Sequence, residues 1–280
     1  MTNTIGWELY RSFLAVLTEG SLSGAARALD LTQPTVGRHV SALETALNQV
    51  LFTRSQVGLL PTEAAESLRG YAEAMRSTAA ALERAAAAHG PGVSGTVRIS
   101  ASEVVGIEVL PPALARLRRE HPGLKLELVA TNRVQNLLQR EADIAVRMAP
   151  PKQEQLIARH VGNVVIGLYA RKDYLRQHGT PATPADLARH TLIGFDEETP
   201  FLRTARKAFP AWTREALSMR ADSDLAQLAL IRAGAGIGFC QAALAARDRK
   251  LVRVLPQSCA LLLDTWVTMH EDLRHSPRCR

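Results

Sequence analysis

Two sets of residues in this chain carry side chains suited to recognising a partner. The first is the run Thr32-Gln33-Pro34-Thr35, with Gly37, Arg38 and His39 just beyond it. A glutamine amide can pair bidentately with adenine, a guanidinium can grip guanine or a phosphate, and the Pro34 and Thr35 carbons can touch a thymine methyl. Ser23, upstream, belongs to the same set, and Arg54, downstream, is placed for the neighbouring minor groove or the backbone. The second set is Ser100, Ser102, Thr131, Asn132 and Arg147, with Phe195 and Phe201 approaching from elsewhere in the chain. Hydroxyls, an amide and a guanidinium suit a small anion or carboxylate. Each member of this set has an equally good plain account, capping or satisfying a loop, and Arg147 fits a structural ion pair as well.

Catalytic and metal chemistry find little footing. The cysteines, Cys240, Cys259 and Cys279, are odd in number and match no zinc or redox spacing, so they read as buried, idle thiols. A nucleophilic thiol would need a depressed pKa and a nearby base, and the sequence signals neither. The eight histidines show no ligand spacing; His270 and His275, five apart, fall on a strand end and a loop. Gly234-Gly236-Gly238 has the wrong spacing for a dinucleotide fingerprint and follows a helix, not a strand, so these glycines are expected to turn the backbone. No catalytic residue, metal or cofactor is expected, and the chain is not read as an enzyme.

Both sets need elements to hold them. Leu9, Tyr10, Phe13, Leu14 and Leu17 follow helical spacing up to Glu19-Gly20. A second helix over 23–29 turns Ala25, Ala26 and Leu29 inward. After the tight turn at Asp30-Leu31, Thr32 caps a third helix with Pro34 in its first turn, where a missing N–H costs little. Val36, Val40, Leu43 and Leu47 form its buried stripe, which leaves Gln33, Thr35, Gly37, Arg38 and Ser41 on the other side. Short extended pieces at 51–53 and 59–60 with a turn between them read as a β-hairpin wing. A long helix then runs over 62–88, about 40 Å at the standard rise, and its stripe Leu68, Tyr71, Met75, Thr78, Leu82 approximates a heptad. It needs a covering partner, either a second chain or its own C-terminal domain. Gly90 to Gly95 is a hinge. Strands at 97–101, 124–129, 143–147, 164–170, 192–195, 217–220, 237–240 and 264–270 then alternate with helices at 109–120, 134–139, 222–233 and 241–248, the pattern of an α/β fold with largely parallel sheets.

A chain of 280 residues exceeds one ordinary core, so two or three folding units are expected. Its net charge of +7 invites a nucleic-acid reading. Residues 1–61, however, hold four basic and four acidic side chains, so the excess lies elsewhere and the case rests on where particular residues point. A near-neutral DNA domain binds weakly alone, because phosphate contacts supply most non-specific affinity; pairing doubles the contacts. The N-terminus lacks a signal peptide's basic and apolar regions, and no segment approaches the roughly 20 apolar residues of a membrane span. A cytoplasmic location is expected.

The run Phe13-Leu14-Ala15-Val16, Gly20 to Leu29, Thr32 to Val40, Leu43-Glu44 and Leu51 to Arg54 resembles the winged helix-turn-helix of LysR-type transcription regulators. Gly37 stands where that pattern usually has serine, and Asn48 and Ala65 where it usually has glycine. Thr96 to Ser102, Leu110-Pro111, His121-Pro122, Ala142 to Arg147 and Gly234 to Gly238 resemble the family's effector domains, which are similar to periplasmic binding proteins. The resemblance covers nearly the whole chain. It implies an α+β multidomain fold: a winged helix-turn-helix over 1–61, a linker and dimerisation helix over 62–89, a hinge over 90–95 and an effector domain over 96–280. Lobe I of that domain is about 96–162 with 265–280, and lobe II about 163–264, with a ligand cleft between them. It also implies binding to double-stranded promoter DNA, modulation by a small-molecule effector, dimers assembling into a homotetramer, and an effect on RNA polymerase.

Overall fold

The computed structural model describes residues 5–55, 58–86, 93–133, 137, 141–151, 153, 155–198, 202–203, 206, 209 and 212–280. Two compact units emerge, one holding Met1–Ala86, the other Ala87–Leu138 and Ala142–Arg280.

The first unit is built on local stop and start signals. Helix α1 (Trp7–Glu19) ends where Gly20 takes φ 67°, a left-handed conformation that costs glycine little. Helix α2 (Leu22–Leu29) is capped by Ser21, whose Oγ accepts from the Gly24 N–H at 3.1 Å, and Asp30 closes it in the left-handed region. Helix α3 (Gln33–Leu47) is capped by Thr32, with proline in its first turn as the sequence predicts. Phe13, Val16, Ala25, Val36, Leu43 and Leu51 close the core. Full burial of a Leu, Phe or Val side chain contributes about 1.5–3 kcal/mol.

Strands β1 (Phe52–Ser55) and β2 (Gly58–Pro61) pair antiparallel as the wing. Two contacts pin it. The Glu44 carboxylate accepts from the Leu51 N–H at 2.8 Å and the Phe52 N–H at 3.2 Å. The Leu59 N–H donates to the Gly20 carbonyl at 2.9 Å, an approach that leaves no room for a side chain at Gly58, whose Cβ would lie 2.7 Å from that oxygen. Helix α4 (Glu63–Ala86) follows, its first turn satisfied by Thr62 Oγ1, which accepts from Ala65 N. The small residues Ala65 and Ala72 let α4 lie close on the core.

Among the described residues the second unit carries a nine-stranded sheet. Strands β3 (Gly95–Ala101), β4 (Leu124–Ala130) and β5 (Ile144–Arg147) are mutually parallel around β3. Strands β7 (Leu192–Gly194), β8 (Met219–Arg220) and β9 (Ile237–Gln241) are parallel around β7. Between the two groups run β6 (Leu156–Arg171) and β11 (Ala260–His270), and β10 (Leu251–Val254) pairs with β6. The sheet is therefore mixed where the sequence predicts largely parallel strands, because every pairing of β6 and β11 is antiparallel. Both crossing strands are longer than the predicted 164–170 and 264–270. Polar residues and Gly162 interrupt their apolar pattern, yet the backbone ladder continues across both halves. At the crossover Thr265 faces Gly162 and Trp266 faces His160, leaving a bulge in β6 where Gly162 takes φ 131°.

The helix predicted over 109–120 appears as α5 (Pro111–Glu120), preceded by a π turn over Val105–Val109 that the sequence did not single out. Helix α6 (Lys172–His178) and strand β10 are too short to carry a periodicity and are seen only in the fold. Helix α7 (Asp224–Ala233) is capped by Ser223, and α8 (Ala242–Ala245) is a single turn, shorter than the predicted 241–248. Strand β8 is likewise shorter than 217–220, because a 3-10 turn at Arg214–Ala216 runs into it. The glycines before β9 have structural work: Gly234 ends α7 with φ 82°, and a Cβ on Gly236 would meet the Thr191 carbonyl at 2.3 Å. Of the predicted helix over 134–139 only Leu137 is described, and residues 90–92 of the predicted hinge lie outside the described residues.

Candidate functional site

In the first unit the cap of α3 organises the polar residues. Thr32, Gln33, Pro34 and Arg38 are exposed, and Thr35 and Gly37 are half-buried. Thr32 Oγ1 and Thr35 Oγ1 lie 2.8 Å apart, and an Arg38 guanidinium nitrogen donates to Thr35 Oγ1 at 3.3 Å. The cap therefore holds Arg38 back over the first turn, beside the free amides of the helix start. That end attracts anions, since its N–H groups and the helix dipole point the same way. Ser23 on α2 and Arg54 on β1 are exposed as well. An added Cβ at Gly37 would meet only Leu22 Cδ1, at 3.7 Å, so the site has room for a side chain.

His39 departs from the expectation. Its Nδ1 lies 2.8 Å from the hydroxyl of Ser12, a residue of α1 that is only 1% exposed. The half-buried ring thus ties α3 to α1. Glu44, whose carboxylate fastens the wing, was legible only as part of the family pattern, because its partners are backbone amides seven and eight residues ahead.

In the second unit a cavity of about 620 Å³ lies beyond the carboxyl ends of β3, β4, β5 and β7, the place where open α/β sheets present ligand sites. Its wall is mostly apolar, including Val104, Met148, Pro151, Phe239 and Leu263. Of the seven residues expected to line a cleft, Ser102, Asn132, Arg147 and Phe195 do so. Ser100 and Thr131 do not, which corrects the expectation for both. Ser100 is fully buried within β3 and its Oγ accepts from Arg147 at 2.6 Å, whereas Ser102 lies just past the end of the strand. Thr131 Oγ1 accepts from the Arg133 N–H at 3.1 Å and so satisfies its own loop. Phe201 lies outside the described residues.

Arg147 is oriented by three acceptors, the Val146 carbonyl at 2.9 Å, Ser100 Oγ and the Arg133 carbonyl at 3.4 Å. Among the described residues no carboxylate pairs with it. Burial lowers the affinity of the guanidinium for its proton, although the group stays charged.

Residues of α7 that the sequence did not single out complete the wall. Asp224, Gln227 and Leu228 all face the cavity, since positions three and four apart share a helix face. Asp224 accepts from Asn132 Nδ2 at 2.6 Å, a bond between the two halves of the sheet. Burial pushes its carboxyl above the usual range; the Asn132 amide opposes this and the Glu103 carboxylate adds to it. Ser223 Oγ donates to Glu103 at 3.0 Å, and Arg232 meets Glu108 at 2.6 Å, holding the Glu108 carboxyl below its ordinary value. Arg247 donates to the Glu108 carbonyl at 2.7 Å. Cys240 also lines the cavity, and burial pushes its thiol up to about 11, which keeps it neutral and unreactive near pH 7.

Residues 90–280 match the family described as the LysR substrate binding domain, and residues 7–66 match the bacterial regulatory helix-turn-helix protein of the lysR family. This chain belongs to the LysR family. A curated relative, the HTH-type transcriptional regulator CrgA of Neisseria meningitidis, is 31% identical over 186 residues, covering 66% of this chain and 62% of the relative. The matched stretch thus spans less than two thirds of that relative's length. A solved structure of CrgA from the same organism is 26% identical, covers 97% of this chain and 94% of its own, and superimposes with a TM-score of 0.60. Full-length CbnR, solved in complex with its target DNA, shares the fold at 20% identity, with a TM-score of 0.67 over 95% of this chain and 94% of its own. No helix among the described residues is long and apolar enough to cross a membrane.

Proposed function

We propose that this LysR-family chain is a transcription regulator that binds promoter DNA through α3 and responds to a small molecule held in the cavity of its second unit. The observation that carries the reading is the start of α3: an exposed, capped helix end that bears Gln33, Thr35 and Arg38, in the same unit as a wing carrying an exposed Arg54. Such an end fits the major groove, with Gln33 and Arg38 on base edges and the helix amides and Arg54 on phosphates. The solved complex of CbnR with its target DNA supports the same use of the shared fold. The functional divisions are a DNA-binding domain over 1–61, a dimerisation helix over 62–89, a hinge over 90–95 and the effector domain beyond.

A single copy of the first unit brings few positive charges to DNA, so two-fold pairing is required. The outer face of α4 supports it: Tyr71 and Leu82 are 73% and 72% exposed, and with Trp7, Met75 and Thr78 they line a shallow apolar groove. A second copy covers that groove, and dimers assemble into tetramers. In the effector domain Ser102, Asn132, Arg147 and Phe195 are the residues of the expected set that touch the ligand, with an acidic group directed at Arg147. The protein works in the cytoplasm, and effector binding changes how RNA polymerase is recruited.

Gel-shift titration on DNA from the chain's own upstream region tests the reading. Wild type is expected to bind, and Gln33→Ala and Arg38→Ala each to lose on the order of 1–3 kcal/mol of binding, with Gln33→Ala relaxing base preference. Light scattering of Leu82→Asp should show monomers. Equal DNA binding by wild type and both α3 variants would remove the assignment of the reading helix.

A further inference from the structure

The cavity wall carries charge of both signs, and the two charges have no mutual partner. Among the described residues Arg147, on β5, meets only neutral oxygen atoms. Asp224, at the start of α7, meets only the Asn132 amide, through Oδ2, and among the described residues no cation pairs with it. No salt bridge joins Arg147 to Asp224, although both line the same largely apolar space. One turn beyond Asp224, Gln227 is 5% exposed. Its Nε2 donates to the Ala221 carbonyl at 2.7 Å, which fixes the amide, and no donor among the described residues meets its Oε1. Asp224 Oδ1 is likewise without a donor there. Two acceptors three residues apart thus stand on the cavity-facing side of one helix, one of them a carboxylate oxygen. Across the sheet, the Arg147 guanidinium stands with the hydroxyls of Ser102 and of Thr268, which is 4% exposed.

Charges and acceptors facing an apolar cavity are stabilised only when something complementary meets them. A simple carboxylate answers Arg147 and leaves the α7 acceptors unmet. A simple amine does the reverse. We propose that the effector is an amphoteric molecule, an apolar body carrying a carboxylate that meets Arg147 and an ammonium or similar strong donor that meets Asp224 and Gln227. The proposal rests on the reading of this cavity as the effector site. It extends that reading by adding a donor subsite to the acid subsite. Because Asp224 also holds Asn132, an ammonium arriving there shares an acceptor with a bond between the two halves of the sheet, so occupancy of this subsite bears directly on how the halves are held together.

Three matched series test it on the full chain by calorimetric titration: leucine and phenylalanine; their deaminated counterparts 4-methylpentanoate and 3-phenylpropanoate; and their decarboxylated counterparts isopentylamine and phenethylamine. The amino acids are expected to bind at least about tenfold more tightly than either truncated series, as a site built for a donor discriminates against ligands lacking it. Asp224→Asn should reduce the preference for amino acid over deaminated acid to about twofold or less while leaving the binding of the deaminated acid in place. Arg147→Gln should do the same for the preference over the amine. Deaminated acids that match the amino acids on wild type overturn the proposal and leave the effector cavity standing as an acid site. Wild type that binds no member of any series also overturns it. Loss of the regulator reading would appear separately, as absent DNA binding in the gel shift.

Discussion

Replacing Glu44 by alanine isolates what holds the wing to α3. Its carboxylate is the acceptor for two backbone N–H groups, of Leu51 at 2.8 Å and of Phe52 at 3.2 Å. Leu51 is 0% exposed and Phe52 9%, so neither amide can turn to water instead. An orphaned buried donor costs about 1–3 kcal/mol, and bonds to a charged acceptor lie at the stronger end. The longer of the two contributes less, which puts Glu44→Ala at about 3 kcal/mol. For a unit of this size that lowers the midpoint by on the order of 10–20 °C. Glu44→Gln keeps an acceptor oxygen and loses only the charge assistance, about 1 kcal/mol. Scanning calorimetry of the full chain reads both, because only the transition of the first unit should move. A Glu44→Ala protein whose transitions stay within about 2 °C of wild type, or a Glu44→Gln protein equally damaged, would refute the argument.

Gly37→Ala should stabilise the first unit by about 0.5–1 kcal/mol, because α3 is helical there, the added Cβ meets only Leu22 Cδ1 at 3.7 Å, and glycine carries the larger unfolded-state entropy; urea midpoints check it, and a lowered midpoint would mean the helix needs a bare backbone. In the second unit, burial lowers the pKa of His190, with a smaller push from His178 and an opposing pull from Asp186. The unfolded chain therefore takes up the proton more readily, so this stability is present above about pH 6.5 and is lost as pH falls through the folded value. His190 Nδ1 also lies 3.3 Å from the Tyr174 hydroxyl. His190→Asn should flatten the fall in urea midpoint between about pH 7.5 and about pH 5, and an unchanged slope would discard His190 as its source.

The first unit was readable because its signals are local. Thr32 with Pro34 marks a helix start, Gly20 a stop, and the apolar spacing of α1 and α3 names their buried faces, since caps and amphipathic stripes depend on neighbours within a turn. That Arg147 ends a strand was legible for the same reason. The rest depended on contacts between residues far apart in the chain. Alternation puts Ser100 and Ser102 on one side of β3, and only the structure shows that Ser100 is buried against Arg147 while Ser102, past the strand end, lines the cavity. His39 meets the hydroxyl of Ser12, 27 residues earlier. Asp224 and Gln227 read as ordinary residues near a helix start. Their meaning arises because β6 and β11 cross between the halves of the sheet and bring α7 to Asn132, 92 residues away, around one apolar space. The sequence by itself determined the elements and the chemistry available on them. Only the tertiary structure decided which of those groups share a cavity, because that depends on the register and crossing of strands and not on any propensity within a turn.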